Sequence, residues 1–360
     1  MIITSLKLDH FRNYETLELE PDPGINLFYG DNAQGKTNIL EAVFLAGTTK
    51  SHRPVRDREM IMFDSEEAHI RMMMRKNESS YRVDMHLKKN RAKGIAVNAM
   101  PVKKAGDLIG IGHFVFFSPE DLNIIKNGPA ERRRFLDMEL CQLSRLYVSD
   151  LMNYHRVLMQ RNQLLKDIPF HPDLEGTLDV WDEQLVRYGR TLIRERERFC
   201  RGLHETAAGI HSSLTGGKEK LKIRYEPNVS EDQFASLLAQ RRETDIRMKT
   251  TGTGPHRDDL MFAADGIDVR KYGSQGQQRT TALSLKLSEI ELVRNLTGDP
   301  PVLLLDDVLS ELDQNRQSFL LSGLDKVQTF ITCTGMEDFH HHRFTVDRLF
   351  HVVNGSVTRE

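Results

Sequence analysis

The sequence predicts an α/β head interrupted by a helical lobe, and three observations carry that expectation. Residues 30–37, GDNAQGKT, lie between an apolar strand pattern, INLFY, and a helix pattern. From Pro129 to about Phe199 the apolar side chains recur at steps of three, four and seven, the spacing of long amphipathic helices. Beyond them the continuous apolar runs VLLLDD (302–307) and VQTFITCTG (327–335) read as buried strands. On this reading residues 1–125 and 249–360 form the head and 126–248 the inserted lobe.

The elements follow in order. IITSLKLDHF and TLELEP alternate like strands, and INLFYG is a short apolar strand ending in glycine. A helix follows over about 36–47. AHIRMMMRK, SYRVDMHLKK and GIAVNAMPV are three candidate antiparallel strands, the methionines serving as strand core, and HFVFFSP is a buried strand. Leu136, Leu140, Leu143, Tyr147, Leu151, Tyr154 and Leu158 predict one long helix from Pro129 to about Lys166. Pro169 and Pro172 end it. Leu178, Leu185, Leu192 and Phe199 mark a second helix, so the pair predicts an antiparallel hairpin that stops at LTGGKEK. KLKIRYEP is strand-like, Ser230 is placed to cap a helix running to about Met248, and Asp265-Gly266 centres a hairpin. The helix after YGSQGQQ runs to about Asn295.

Composition excludes several classes. The net charge of −2 gives no global basic field, so a nucleic-acid partner would have to meet a local patch. The three cysteines follow no metal or redox spacing and read as reduced thiols of a cytosolic protein. The N-terminus lacks the pattern of a signal peptide, and no apolar run reaches membrane-spanning length.

GDNAQGKT matches the P-loop pattern in the strand–turn–helix context that the pattern requires. Gly30 and Gly35 allow the tight turn that aims backbone N–H groups at phosphate, with Asp31, Asn32, Ala33 and Gln34 forming the loop between them. Lys36 is expected to reach the terminal phosphates of ATP and Thr37 to hold Mg²⁺. Asp306 ends a buried strand where a second metal-holding carboxylate is needed, and Asp307 follows where a base orients attacking water. A second glycine turn, YGSQGQQRT (272–280), also opens a helix. Ser274, Gln275, Gly276 and Gln277 would be redundant with the P-loop in one chain, but not if they face the ATP of a second copy.

These motifs, with SELD at 310–313, resemble the ABC-type ATPase heads, and the inserted hairpin resembles the structural-maintenance-of-chromosomes branch. LKLDHFRNYE (6–15), FFSPEDLNIIKNGPAERRRFLD (116–137), TGPHRDDL (253–260) and LLLDDVLSELDQNRQ (303–317) narrow the resemblance to the bacterial RecF family. The resemblance implies an ABC-type P-loop ATPase head and an ATP-dependent DNA-binding protein of recombinational repair. It implies dimerisation on ATP, recognition of double-stranded and single-stranded or gapped DNA, and action with RecO and RecR to place RecA. It assigns Gly30, Asn32, Gly35, Lys36 and Thr37 to ATP and Mg²⁺, Ser274–Gln277 to the partner's ATP, and Asp313 to the dimer seam. The sequence departs from the wider ABC pattern in carrying Asp307 where glutamate is usual. Thr332 and Thr334 stand near the usual γ-phosphate-sensing histidine, and no Q-loop glutamine is identifiable. Slow, DNA-stimulated hydrolysis is the expectation.

Arg187, Arg190, Arg194, Arg198 and Arg201 fall on one helix face at ~100° per residue. They form either a phosphate-contacting stripe or a solvated face, with Glu195 and Glu197 placed to neutralise part of it. Arg196 falls on the apolar side and needs an acidic partner. His52, Arg53, Arg56 and Arg58 form a second cluster, close in sequence to the P-loop helix. Lys88, Lys89, Arg91 and Lys93 read as a solubilising hairpin edge. Arg132–Arg134 require structural pairing or an anion. His340–His342 read as a turn rather than a metal site, since adjacent residues do not converge on one ion. A transporter ATPase or a P-loop kinase shares the phosphate loop. The inserted lobe argues against the first and the signature turn against the second.

Overall fold

The structure, a computed structural model, describes residues 1–102, 105–324, 327–335 and 345–360. The order begins with β1 (Ile2–Phe11), β2 (Tyr14–Leu19), β3 (Ile25–Tyr29), α1 (Lys36–Thr48), β4 (Glu67–Lys76), β5 (Ser79–Lys88), β6 (Arg91–Val97), β7 (Met100–Pro101) and β8 (Phe114–Phe117). Then come α2 (Leu122–Lys126), α3 (Pro129–Leu143), α4 (Arg145–Asp167), α5 (Leu178–Leu214), β9 (Leu221–Glu226), α6 (Phe234–Gln240), α7 (Arg242–Met248), β10 (Asp259–Ala264), β11 (Ile267–Asp268) and α8 (Val269–Tyr272). The chain ends with α9 (Gln275–Thr297), β12 (Val302–Asp306), α10 (Gln314–Ser322), β13 (Thr329–Cys333), β14 (Arg348–Val353) and β15 (Ser356–Arg359). Two compact units result, Met1–Asp121 with Glu289–Glu360, and Leu122–Ser288.

In the first unit, alternating residues fold into an antiparallel sheet of order β2-β1-β4-β5-β6-β7. Met72 and Met74 point to its buried face. The continuous apolar runs make a second sheet, β15-β14-β3-β13-β12-β8, parallel except for the β14–β15 hairpin. Strands buried on both faces need no alternation, which is why FVFF and VLLLD read as unbroken apolar runs. Helix α1 lies against β1, β4 and β5 of one sheet and β8, β12 and β13 of the other, with ten of its 13 residues buried.

In the second unit, α4 and α5 run antiparallel. Arg196 Nε donates to the Tyr147 hydroxyl (2.9 Å) at one end and Arg161 Nε to Asp182 Oδ1 (2.6 Å) nearer the other. Leu165, Ile168 and Leu178 close the turn, and Leu178, Leu185, Leu192 and Phe199 are all buried. Three expectations change. The single helix expected over 129–166 is two, because Ser144 takes extended backbone and caps α4 by accepting from the Tyr147 N–H (3.2 Å). The helix expected from Ser230 to Met248 is the pair α6 and α7, joined at Arg241, with Ser230 Oγ accepting from Gln233 N (3.4 Å) ahead of them. The compact unit also extends to Ser288 rather than ending near 248. The reason is that β9 pairs with β10, α5 packs on β9, and His211 of α5 hydrogen-bonds Ser284 of α9 (3.0 Å).

Buried Arg132, Arg161 and Arg196, with half-buried Arg133, tie this unit. Arg132 grips Asp259 with two bonds (2.5 and 3.1 Å) and also donates to the carbonyls of Ile124 and Asn127, while Arg133 donates to the Asp258 carbonyl (2.8 Å). The arginine run at 132–134 therefore pairs structurally at its first two members. Arg196, 2% exposed, donates to Asp258 (2.9 Å), Asp137 (2.8 Å) and the Pro255 carbonyl (2.7 Å). Burial pushes the Asp258 carboxyl up, and Arg196, Tyr225 and the Asn228 N–H pull against it. The histidine run at 340–342 lies outside the described residues. Arg196→Met would leave Asp258 and Asp137 without their cation, so it is expected to cost about 3–5 kcal/mol in urea unfolding. Adding Asp258→Asn should recover part of that loss, and a single-variant cost below about 1 kcal/mol would contradict a buried pair.

Candidate nucleotide-binding site

The site begins where β3 ends. Gly30 has φ 147°, and a Cβ there would lie 2.3 Å from the Val352 carbonyl of β14. Gly35, the residue before α1, has φ 113°, and a Cβ would lie 2.4 Å from the Asn13 amide nitrogen. Both positions therefore need glycine for backbone angle and for space. Between them Ala33 takes a left-handed φ of 64°, and Asp31 and Asn32 are exposed. The loop is held from outside. Asn13 Nδ2 donates to the Gln34 carbonyl (2.8 Å), the Tyr14 hydroxyl to the Gly35 carbonyl (3.0 Å), Gly355 N to the Gln34 carbonyl (3.2 Å) and Asn354 N to Gln34 Oε1 (2.6 Å).

The chemistry-bearing side chains of this unit converge. Lys36 is buried, and its Nζ donates to the carbonyls of Gly30 (2.6 Å) and Asp31 (2.8 Å). Burial holds its pKa below the usual lysine range, against the pull of Asp307, Cys333, Asp306 and Asp31. Thr37 Oγ1 donates to Asp306 Oδ1 at 2.7 Å, which joins the P-loop to the end of β12. Thr332 Oγ1 donates to the same oxygen (2.9 Å) and accepts from Asp307 N (3.0 Å). Burial pushes the Asp306 carboxyl above its ordinary range, while Thr37, Thr332 and the charge of Arg53 oppose the shift. Asp307 sits at a left-handed φ of 54°. Thr334 is exposed.

The signature turn belongs to the second unit. Ser274, Gln275 and Gly276 are exposed, and Gln277 is half-buried. Ser274 Oγ accepts from Gln277 N (3.2 Å) while Gln277 Oε1 accepts from Ser274 N (3.0 Å), a reciprocal cap that starts α9. Gln277 Nε2 donates to Glu219 Oε1 (3.0 Å). Asp313 caps α10 by accepting from Arg316 N (3.0 Å).

The basic clusters separate. Arg187, Arg190, Arg194, Arg198 and Arg201 are all exposed on α5. Arg190 donates to the Glu231 carbonyl (3.1 Å) and Arg194 to Glu231 Oε1 (3.0 Å), so Glu231 neutralises the stripe more closely than Glu195 (3.8 Å) or Glu197 (4.0 Å). Arg53 stands near enough to Asp306 to act on it, Arg56 is exposed, and His52 stacks on Phe116 at 3.8 Å. Lys88, Lys89 and Lys93 pair with Glu67, Glu66 and Asp57. Among the described residues no helix is long and apolar enough to cross a membrane.

Several contributors escape the sequence reading. Asn13 and Tyr14 lie within LKLDHFRNYE, whose pattern carries no sign that its side chains hold the phosphate loop. Arg12 makes a two-bond pair with buried Glu41 (2.8 and 2.9 Å), which also accepts from Ser51 (2.6 Å). The turn at Asn354-Gly355, between FHVV and SVTR, does carry a hairpin signal.

Known proteins extend this picture. The RecF/RecN/SMC N-terminal domain family matches residues 2–358. The chain is 59% identical to the DNA replication and repair protein RecF of Agathobacter rectalis over 99% of both chains. Its fold matches that of the recombination mediator protein RecF with ATP, of the RecFOR pathway, at a TM-score of 0.93 and 36% identity, covering 99% of this chain and 97% of that one. An SMC head bound to the winged-helix domain of ScpA shares the fold at a TM-score of 0.56 and 14% identity, covering 100% and 97%.

Asp306 is the residue on which burial and function pull in opposite directions. Asp306→Asn keeps an oxygen that can accept from Thr37 and Thr332 but removes a charge that burial disfavours. Because the folded-state pKa is raised, ionisation of this group costs stability as pH rises through it. At pH 7 and without nucleotide, Asp306→Asn is therefore expected to melt higher than wild type in calorimetry. A lower melting temperature would show that the charge itself holds the unliganded site together.

Proposed function

Because the chain belongs to the RecF family, we propose that it is an ATP-dependent DNA-binding protein of recombinational repair, closed into a homodimer by ATP. The observation that carries this reading is the exposed, reciprocally capped turn at Ser274–Gln277 in a chain that also has a P-loop. The cap uses the Ser274 oxygen as acceptor and leaves its hydroxyl proton to donate. The N–H groups of Gln277 and Gln278 are held by Ser274 itself (3.2 and 2.9 Å), which fixes the hydroxyl at the start of α9. That exposed donor, at the positive end of the helix dipole, suits the phosphates of a second copy's nucleotide.

The residues present fit ATP and Mg²⁺. The cradle at Gly30 and Gly35 is one that a Cβ would fill, Lys36 is a buried cation at its edge, and Thr37 with Asp306 is an oxygen pair of the kind that holds Mg²⁺. Lys36 would exchange its two carbonyl partners for phosphate oxygens. When bound, Mg-ATP supplies the negative charge that the signature turn of a partner copy recognises and a bond whose hydrolysis ends that recognition. Asp307 would orient the attacking water. Its side chain is one methylene shorter than glutamate, and Thr332 carries no ionisable group, so turnover is slow and serves as a switch.

DNA, double-stranded with single-stranded gaps, would meet the arginine face of α5 with Arg53 and Arg56 as a further contact. RecO and RecR would be the partners through which RecA is placed. Arg187 and Arg198, which lie clear of the bonds to Glu231, are the members best placed for phosphate. Replacing both with alanine is expected to weaken binding to all sequences alike and flatten the log–log salt slope by about 1–2. An unchanged slope would place the phosphates elsewhere.

The deciding experiment is light scattering with Mg²⁺ and ATP on wild type, Lys36→Met and Ser274→Arg. Wild type is expected to double its mass only with ATP, and both variants to stay monomeric. Normal dimerisation of Ser274→Arg would remove the signature from the nucleotide site. In the same preparations DNA-stimulated hydrolysis should stay well below about 10 per second, the enzyme median, and a faster rate would overturn the switch.

A further inference from the structure

Residues two apart on a strand share a face, and a cross-strand partner shares it too. On the antiparallel sheet this rule brings Glu67 and His69 of β4 beside His86 of β5. His69 pairs directly with His86, Asp9 of β1 pairs with His69, and Gly94 of β6 pairs with His86. The row across four strands is therefore Asp9, His69, His86, Gly94, on a face open to solvent. The two imidazoles stack at 3.8 Å with 26° between their planes. Glu67 reaches both, with Oε2 at 2.9 Å from His86 Nε2 and Oε1 at 3.8 Å from His69 Nε2.

We propose that Glu67, His69 and His86 bind a divalent transition-metal ion of the zinc class. One ligand atom from each lies within 4.8 Å of the others. Tetrahedral zinc, with bonds near 2.0–2.2 Å, needs ligand atoms about 3.3 Å apart. The two distances to Glu67, made by its two different oxygens, bracket that value, and closure asks the stacked rings to turn so that their nitrogens converge on one ion. Two imidazoles and a carboxylate are a ligand set zinc favours over magnesium or calcium, which take oxygen. The fourth position opens over Gly94, where a Cβ would meet nothing nearer than His86 Cβ at 3.8 Å, in a surface depression of about 350 Å³. Water would fill it. The site has one competitor to displace, Lys88, whose Nζ lies 3.5 Å from Glu67 Oε2. The neighbouring Arg71 is already taken by Asp84 (2.7 Å). Residues 69 and 86 are too far apart in sequence to suggest a site, and only the strand register brings them together.

The test is titration of metal-free, full-length protein with ZnCl₂ against a chromophoric chelator. A His340→Ala/His341→Ala/His342→Ala background keeps that histidine run from contributing. One saturable equivalent is expected in this background. Adding Glu67→Gln or His86→Ala should weaken it at least about tenfold. Zinc should raise the melting temperature of the background protein and of neither variant, while all three melt alike without metal. Undiminished affinity in either variant, or no saturable uptake by the background protein, overturns the proposal.

Discussion

Helix α1 has no polar side because both of its faces are covered, by β1, β4 and β5 from one sheet and by β8, β12 and β13 from the other. Its first turn is the part left to meet a ligand, with Thr37 and Asn38 only half-buried. The buried carboxylate in the middle of the helix, Glu41, needs a partner there. Burial pushes that carboxyl up, but the bonds from Arg12 and Ser51 outweigh it and hold it below the usual range. Arg12 also donates to the Glu59 carbonyl (2.8 Å), so one guanidinium fastens the end of β1, the middle of α1 and the segment after it. The next two residues, Asn13 and Tyr14, then reach the carbonyls of Gln34 and Gly35. The shape of the phosphate loop thus depends on an ion pair one turn deeper in the helix.

The second unit solves a related problem with several buried charges. Arg161 is fully buried and binds Asp182, Asp245 and Thr251, and Arg196 binds Asp258 and Asp137. Such groups cost much desolvation, and apolar replacements of equal volume can be as stable. Their geometry, however, admits few alternatives. A 37-residue helix packed only through leucines could slide by a heptad, whereas arginines that must meet carboxylates from α3, α7 and the TGPHRDDL segment fix its register. This also accounts for Arg132, Arg133, buried Asp258 and half-buried Asp259 as scaffold rather than as ligands.

The parts legible in the sequence were those in which local pattern and tertiary role agree. GDNAQGKT, VLLLDD and YGSQGQQ each sit on the element that their spacing implies, and the heptad-spaced leucines of α5 are buried as read. The break at Ser144 was not legible, because apolar residues continue at helical steps through it; only the extended backbone of a serine able to cap marks the boundary. The reach of the second unit to Ser288 was hidden for another reason. It depends on β9 pairing with β10 across more than thirty residues of intervening chain, which no window can register. Asn13, Tyr14 and the Asn354-Gly355 turn support the loop by position alone, and His69 with His86 form a row only through strand register.

Thr332 bears on how the site would turn over. β13 lies between β3 and β12, in register with Phe28 on one side and Asp306 on the other. Its hydroxyl donates to the Asp306 carboxylate and accepts the Asp307 N–H, so both hydrogen-bonding directions are in use. A histidine near such a position could carry a proton or a positive charge toward a phosphate; this hydroxyl instead locks two consecutive acids together. Asp307 takes a left-handed conformation, a backbone state that costs energy for a residue other than glycine, and donates its N–H to that hydroxyl. A site built this way favours precise placement of the two carboxylates over proton movement, which is the physical ground of the proposal that hydrolysis is a slow release step.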